Sequence, residues 1–134
     1  MRALIFAAVI CFIAATAALS ATVADLGTLK NAERGVTVVV TPQNLSPTAK
    51  TWDFKVVLDT HSADLNDDLV KSSLLLDSAG GQYAPLAWDG APPGGHHREG
   101  VLRFRPLATR PQAIELRITR PGESAPRTFR WKLE

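Results

Sequence analysis

From Val36 to the C terminus the sequence keeps repeating one arrangement: a short apolar or alternating run, then Gly or Pro. That spacing leaves little room for long helices and suits strands joined by tight turns. Val36-Thr37-Val38-Val39-Val40-Thr41 is dense in β-branched residues and ends at Pro42. Trp52, Phe54, Val56 and Leu58 then alternate with mostly polar neighbours, as in a half-buried strand. A strand is expected from about Leu69 to Leu76, followed by a hairpin turn through Asp77-Ser78-Ala79-Gly80-Gly81. Gln82 to Trp88 reads as a short strand that Pro85 restricts to an edge or a bulge. Asp89 to Gly100 reads as a long loop, after which Leu102 and Phe104 resume the alternation. Ile114, Leu116 and Ile118, and later Phe129, Trp131 and Leu133, mark two more strands.

The count comes to about seven strands with no amphipathic helix, which predicts an all-β domain. The expected form is a two-sheet antiparallel β-sandwich of immunoglobulin-like character, with a small barrel as the alternative. Residues 36–134 would form it, and 25–35, polar and aperiodic, would be a lead-in. The Cys–Trp–Cys core of true immunoglobulin domains is missing, because Cys11 is the one cysteine in the chain.

Residues 1–24 differ from the rest. Met1-Arg2 precedes the apolar run Ala3 to Leu19, and Ala15-Thr16-Ala17 and Thr22-Val23-Ala24 offer small-residue cleavage sites. This is the layout of a secretory signal peptide; an uncleaved anchor is the alternative, since a span needs roughly 20 apolar residues. Cys11 follows Ile10 rather than a small residue, which argues against lipid attachment. A cleaved chain would carry no cysteine and no membrane span. It would suit a periplasmic or secreted location in which disulfides are not needed.

The formal net charge of +2 includes Arg2, too little to make nucleic acid a default partner. Acids cluster in residues 25–89 and bases in 98–134, including Arg98, Arg103, Arg105, Arg110, Arg117, Arg120, Arg127 and Arg130. Cross-strand ion pairing between the two halves is the simplest reading, and an anion-binding face is the other.

The chain has three histidines: His61 in Asp59-Thr60-His61-Ser62, and His96 and His97 after Pro92-Pro93-Gly94-Gly95. When successive strands reverse direction, loops after even-numbered strands share one end of the domain. Both histidine loops fall in that class, together with Asp59, Asp64, Asp67, Asp68, Asp89 and Glu99. Imidazoles suit Cu(II) or Zn(II), so His61, His96, His97 and Asp59 form a candidate copper or zinc site open to water. On that reading His61 should come within roughly 5 Å of His96 or His97, because ligand bonds are near 2 Å. The alternative is a non-catalytic envelope module whose histidine end contacts a partner protein, with the imidazoles as polar or pH-sensitive contacts. If the histidines are structural instead, Asp59 and Ser62 are expected to cap backbone amides in a turn. Trp88, beside the histidine loop, is expected to line a pocket there if it is exposed. A calcium reading of Asp64-Leu65-Asn66-Asp67-Asp68 lacks EF-hand spacing, and Ser62 has no nucleophile elbow around it.

The segments Asp59-Thr60-His61-Ser62, Tyr83 through Gly90 and Gly94 through Phe104 resemble those of a family of short exported bacterial proteins of unassigned function. The likeness runs from about Val36 to Leu133 and implies no activity. More loosely, an exported, cysteine-free sandwich with histidines at one end looks like periplasmic copper-carrier domains. The chain departs from them in having no histidine at the mature N terminus and no methionine besides Met1, which removes a Cu(I) thioether site.

Overall fold

The computed structural model describes residues 26–133; the proposed signal segment, residues 1–24, lies outside the described residues. The described elements are β1 (Leu29–Glu33), β2 (Val36–Asn44), β3 (Trp52–Thr60), α1 (Leu69–Ser72), β4 (Ser73–Asp77), β5 (Gln82–Tyr83), β6 (Ala87–Gly90), β7 (His97–Phe104), β8 (Ala113–Ile118) and β9 (Arg127–Lys132). They form two antiparallel sheets, one of five strands in the order β1-β2-β3-β7-β6 and one of four in the order β5-β4-β8-β9. The fold is all-β and sandwich-like. Among the described residues no helix is long and apolar enough to cross a membrane.

Alternation sends one side of each strand inward. Val38, Val40, Phe54, Val56, Leu58 and Leu102 from the larger sheet meet Leu75, Leu116, Ile118, Phe129 and Trp131 from the smaller one, all buried. Phe54 stands edge-on to Phe104 at 5.6 Å and lies 5.6 Å from Trp131 in the opposite sheet. That aromatic contact bridges the core, and such pairs add about 0.5–1.5 kcal/mol beyond burial alone.

The structure revises several strand boundaries. Residues 29–33 are a strand and not a lead-in: β1 pairs with β2 through a tight turn at Arg34 and Gly35, whose φ angles are 48° and 75°. A two-residue hairpin of this hand needs positive φ at both positions. Leu69–Ser72 is one helical turn, capped by Asp68, whose Oδ1 accepts from the Lys71 amide at 3.2 Å; the strand starts at Ser73. The run from Gln82 to Trp88 divides at Pro85, with β5 at the edge of one sheet and β6 at the edge of the other. Most of the expected loop from Asp89 to Gly100 is a β-hairpin, since β6 continues to Gly90 and β7 begins at His97.

Gly90 and Gly100 face each other across that hairpin. A Cβ built on Gly100 would meet the Gly90 Cα and the Trp88 ring, each at 2.7 Å. The indole therefore comes close to both backbones, where a side chain would stand. Gly100→Val should cost about 2–3 kcal/mol by overpacking, whereas Gly27→Ala, which meets nothing within 4 Å, should stay within about 0.5 kcal/mol. Urea denaturation of the two variants checks the difference.

Candidate functional site

The two histidine loops meet at one end of the sandwich, as strand direction requires. The Thr60 amide donates to the His96 carbonyl at 2.9 Å, and the Gly94 amide to the Leu65 carbonyl at 2.9 Å. The segment between β8 and β9 joins them: the Thr119 amide donates to the Ser72 carbonyl, and the Arg120 Nη2 to the Asp64 carbonyl. Thr60 Oγ1 donates to the Gly35 carbonyl at 2.8 Å and accepts from the Ser62 and Ala63 amides. Thr60, not Asp59 or Ser62, therefore makes the turn.

Charged groups lock this end from beneath. Asp67 is fully buried and accepts from Arg120 Nε and Nη2, each at 3.0 Å, in a two-point contact. Arg98 is also buried, 1% exposed, yet it makes no salt bridge among the described residues. Its Nη1 donates to the Leu65 and Asp67 carbonyls and its Nη2 to the Ala91 carbonyl, while the guanidinium carbon sits 5.6 Å from the Trp88 ring centre. Burial pulls its pKa down, and the charges of Asp67 and Asp68 oppose that pull. Arg127 is the third buried arginine of this end. It reaches Glu123 twice, Asn31, and the Val36 and Glu33 carbonyls. Part of the charge asymmetry seen in the sequence goes into cross-half contacts of Arg103 with Asp53 and Asp89, Arg120 with Asp67 and Arg127 with Glu33.

The sequence-predicted ligands separate into two groups. His61 and His96 are exposed at the bases of their loops, directly after β3 and directly before β7. His97 and Asp59 face each other in the β3–β7 ladder, and His97 Nδ1 lies 2.5 Å from Asp59 Oδ1. The other ring nitrogen lies 3.6 Å from Glu99 Oε2, and Glu99 in turn pairs with Lys55 at 2.7 Å. Asp59 first, and Glu99 after it, raise the His97 pKa above its ordinary value. Lys55 holds Glu99 below the usual carboxylate range, with a smaller contribution from His97. The result is an exposed row of alternating charge, Asp59–His97–Glu99–Lys55, on the outer face of the five-stranded sheet. Among the described residues, no three His, Cys, Asp or Glu side chains are gathered so as to hold a metal ion.

The aspartates considered for calcium have other employment, Asp67 on Arg120 and Asp68 at the cap of α1. Trp88 is not exposed as a pocket wall would be; it packs half-buried under Arg98 and donates from Nε1 to the Ala91 carbonyl at 2.9 Å. A shallow groove of about 250 Å³ lies elsewhere, against Leu76, Ala113, Glu115, Arg117 and Arg130, and none of the histidines lines it. Arg98 and Lys55 had no place in the sequence-based site. A period of two running on from His97 through Glu99 to Val101 would have found the charge row, had Gly100 not read as loop.

Comparison of the chain with protein-family models, with curated proteins and with solved structures returned no match.

Two outcomes follow from this geometry. Arg120→Met strands a buried carboxylate and should cost about 3–5 kcal/mol, while adding Asp67→Leu should recover much of that loss; denaturant midpoints of single and double variants measure both. A raised folded-state pKa at His97 means its contribution is complete below the unfolded value near 6.5 and disappears as pH rises through the folded value. The melting temperature should therefore fall as pH rises above about 6.5, and His97→Gln should flatten that part of the profile.

Proposed function

We propose that this chain is an exported, non-catalytic interaction module of the bacterial envelope, periplasmic or secreted, that contacts a protein partner through its histidine end. On this reading residues 1–24 are the export signal, and the sandwich is of immunoglobulin-like character. The observation that carries it is the commitment of His97. A carboxylate near each ring nitrogen, Asp59 at 2.5 Å and Glu99 at 3.6 Å, favours the protonated imidazole, and a metal has to displace the proton from the lone pair it needs. Asp59, the expected carboxylate ligand, is the group that holds that proton in place.

The rest of the end supports a docking role. Rigid strands and buried arginines fix two short loops that carry exposed His61 and His96, the arrangement in which loops commonly bind. His97 in the neighbouring charge row, its pKa raised by Asp59 and Glu99, adds a contact whose strength depends on pH. The likeness to short exported bacterial proteins agrees with this reading but adds no partner.

The competing reading is a copper or zinc carrier using His61, His96, His97 and Asp59, and it rests on the convergence of the loops. Melting of the purified protein with Cu(II), Zn(II) or Ni(II) separates the two, because a ligand bound by the folded state alone must raise the melting temperature. We expect no saturable rise. A rise abolished by His61→Ala and by His97→Ala separately would overturn the interaction reading. Photo-cross-linkers at positions 61 and 96 should capture an envelope protein in cells, while the same group at position 132 on the outer face of the other sheet should not.

A further inference from the structure

Sheet edges expose backbone donors and acceptors that invite another strand, and the edges here differ in how they are covered. At one side of the sandwich β1 and β9 run side by side, stitched by side chains: Trp131 Nε1 donates to the Gly27 carbonyl at 2.8 Å, and Arg127 donates to the Asn31 side chain and the Glu33 carbonyl. At the other side β5 has two residues. That leaves β6, whose Ala87, Asp89 and Gly90 are exposed.

The ladder shows which backbone groups of β6 are free. The Ala91 amide donates to the Glu99 carbonyl, and the Thr60 amide to the His96 carbonyl on the opposite flank of the same hairpin. Hydrogen-bonded pairs recur at every second residue of an antiparallel ladder. Ala87 and Asp89 therefore turn their amides and carbonyls toward β7, as Ala91 does its amide, and Trp88 and Gly90 turn theirs outward. Beside them stands Leu86, 52% exposed and the one exposed large hydrophobic residue among those described. Its own amide is already taken by the Arg103 carbonyl at 2.7 Å.

We propose that β6 pairs antiparallel with β6 of a second copy of this chain, joining two five-stranded sheets across a two-fold axis. Charge and shape select the register. An axis through Asp89 would set two carboxylates directly opposite, which is unfavourable. An axis through Trp88 sets Asp89 opposite Ala87 of the other copy. Ala87 is small and is itself paired with Arg103, so each Asp89 gains a second guanidinium. The same register brings Leu86 over Gly90, where no side chain obstructs it. It forms about four interchain hydrogen bonds from Trp88 and Gly90. Pro92, which lacks an amide hydrogen, ends the ladder. This inference does not depend on the histidine end.

The full chain in a Cys11→Ser background is otherwise free of cysteine, so the register can be read by disulfide trapping. Ala87→Cys with Asp89→Cys places cysteines directly opposite, where Cα atoms in such non-hydrogen-bonded pairs lie about 4.5 Å apart, within disulfide reach. Mild oxidation should give a covalent dimer of twice the 14.4 kDa chain mass. Neither single variant should form one, and sedimentation of the untreated chain should show a dimer that Leu86→Arg weakens at least tenfold. A chain that stays monomeric at millimolar concentration overturns the proposal. So does a dimer trapped by Asp89→Cys alone, or one that Leu86→Arg leaves unchanged.

Discussion

Three arginines in the interior hold one end of this protein together. Arg98, Arg120 and Arg127 each enter from a different strand or strand end, and each ends on carbonyls or carboxylates of the connecting segments, Arg127 also on the β1–β2 hairpin. Removing guanidinium from water is costly, and the cost is met only when most donors find acceptors. Arg98 comes close, leaving Nε without a partner among the described residues. Segments 61–68, 91–96 and 119–126 cannot shift independently without stranding a buried charge. Loops that would otherwise be mobile are thereby fixed relative to the sheets.

This arrangement explains why the histidine end divides as it does. Arg98 lies between His97 and Glu99, and inward burial of its side chain turns those two neighbours outward by the two-residue alternation. Once outward, His97 meets Asp59 across the ladder and Glu99 beside it. The charge row on the surface and the buried cation beneath it are two faces of one strand. The same strand also fixes Trp88, whose ring needs both Gly100 beneath it and the Arg98 guanidinium above it.

Sequence periodicity located the sheets well where side chains alternate strongly, as in Trp52–Leu58, Ile114–Ile118 and Phe129–Leu133. It located the shared end of the histidine loops through strand direction alone. It failed where a strand owes its existence to tertiary pairing. Leu29–Glu33 has no β-branched residue and is held by β2 and by Arg127; Arg98-Glu99-Gly100 looks like loop because its glycine serves packing rather than a turn. Contacts such as Asp67–Arg120, far apart in sequence, leave no local trace. The candidate ligand set was legible as a neighbourhood. The pairing of His97 with carboxylates depended on a register that starts four residues earlier than the apolar pattern suggested.

The corner where Gly27 meets Trp131 gives the molecule a polarity along its long axis. Gly27 lies at the end opposite the histidines, about 20 Å away at roughly 3.3 Å for each of the six residues from Gly27 to Glu33. Any tether on that side, a membrane segment or a preceding domain alike, would hold the sandwich like a post with the histidine loops at its tip. The β6 edge runs along the post's flank, so two copies joined there would stand with their tips pointing in opposite directions. Tethering to one surface and pairing through β6 thus impose incompatible orientations, and a chain held at its N terminus has to choose between them.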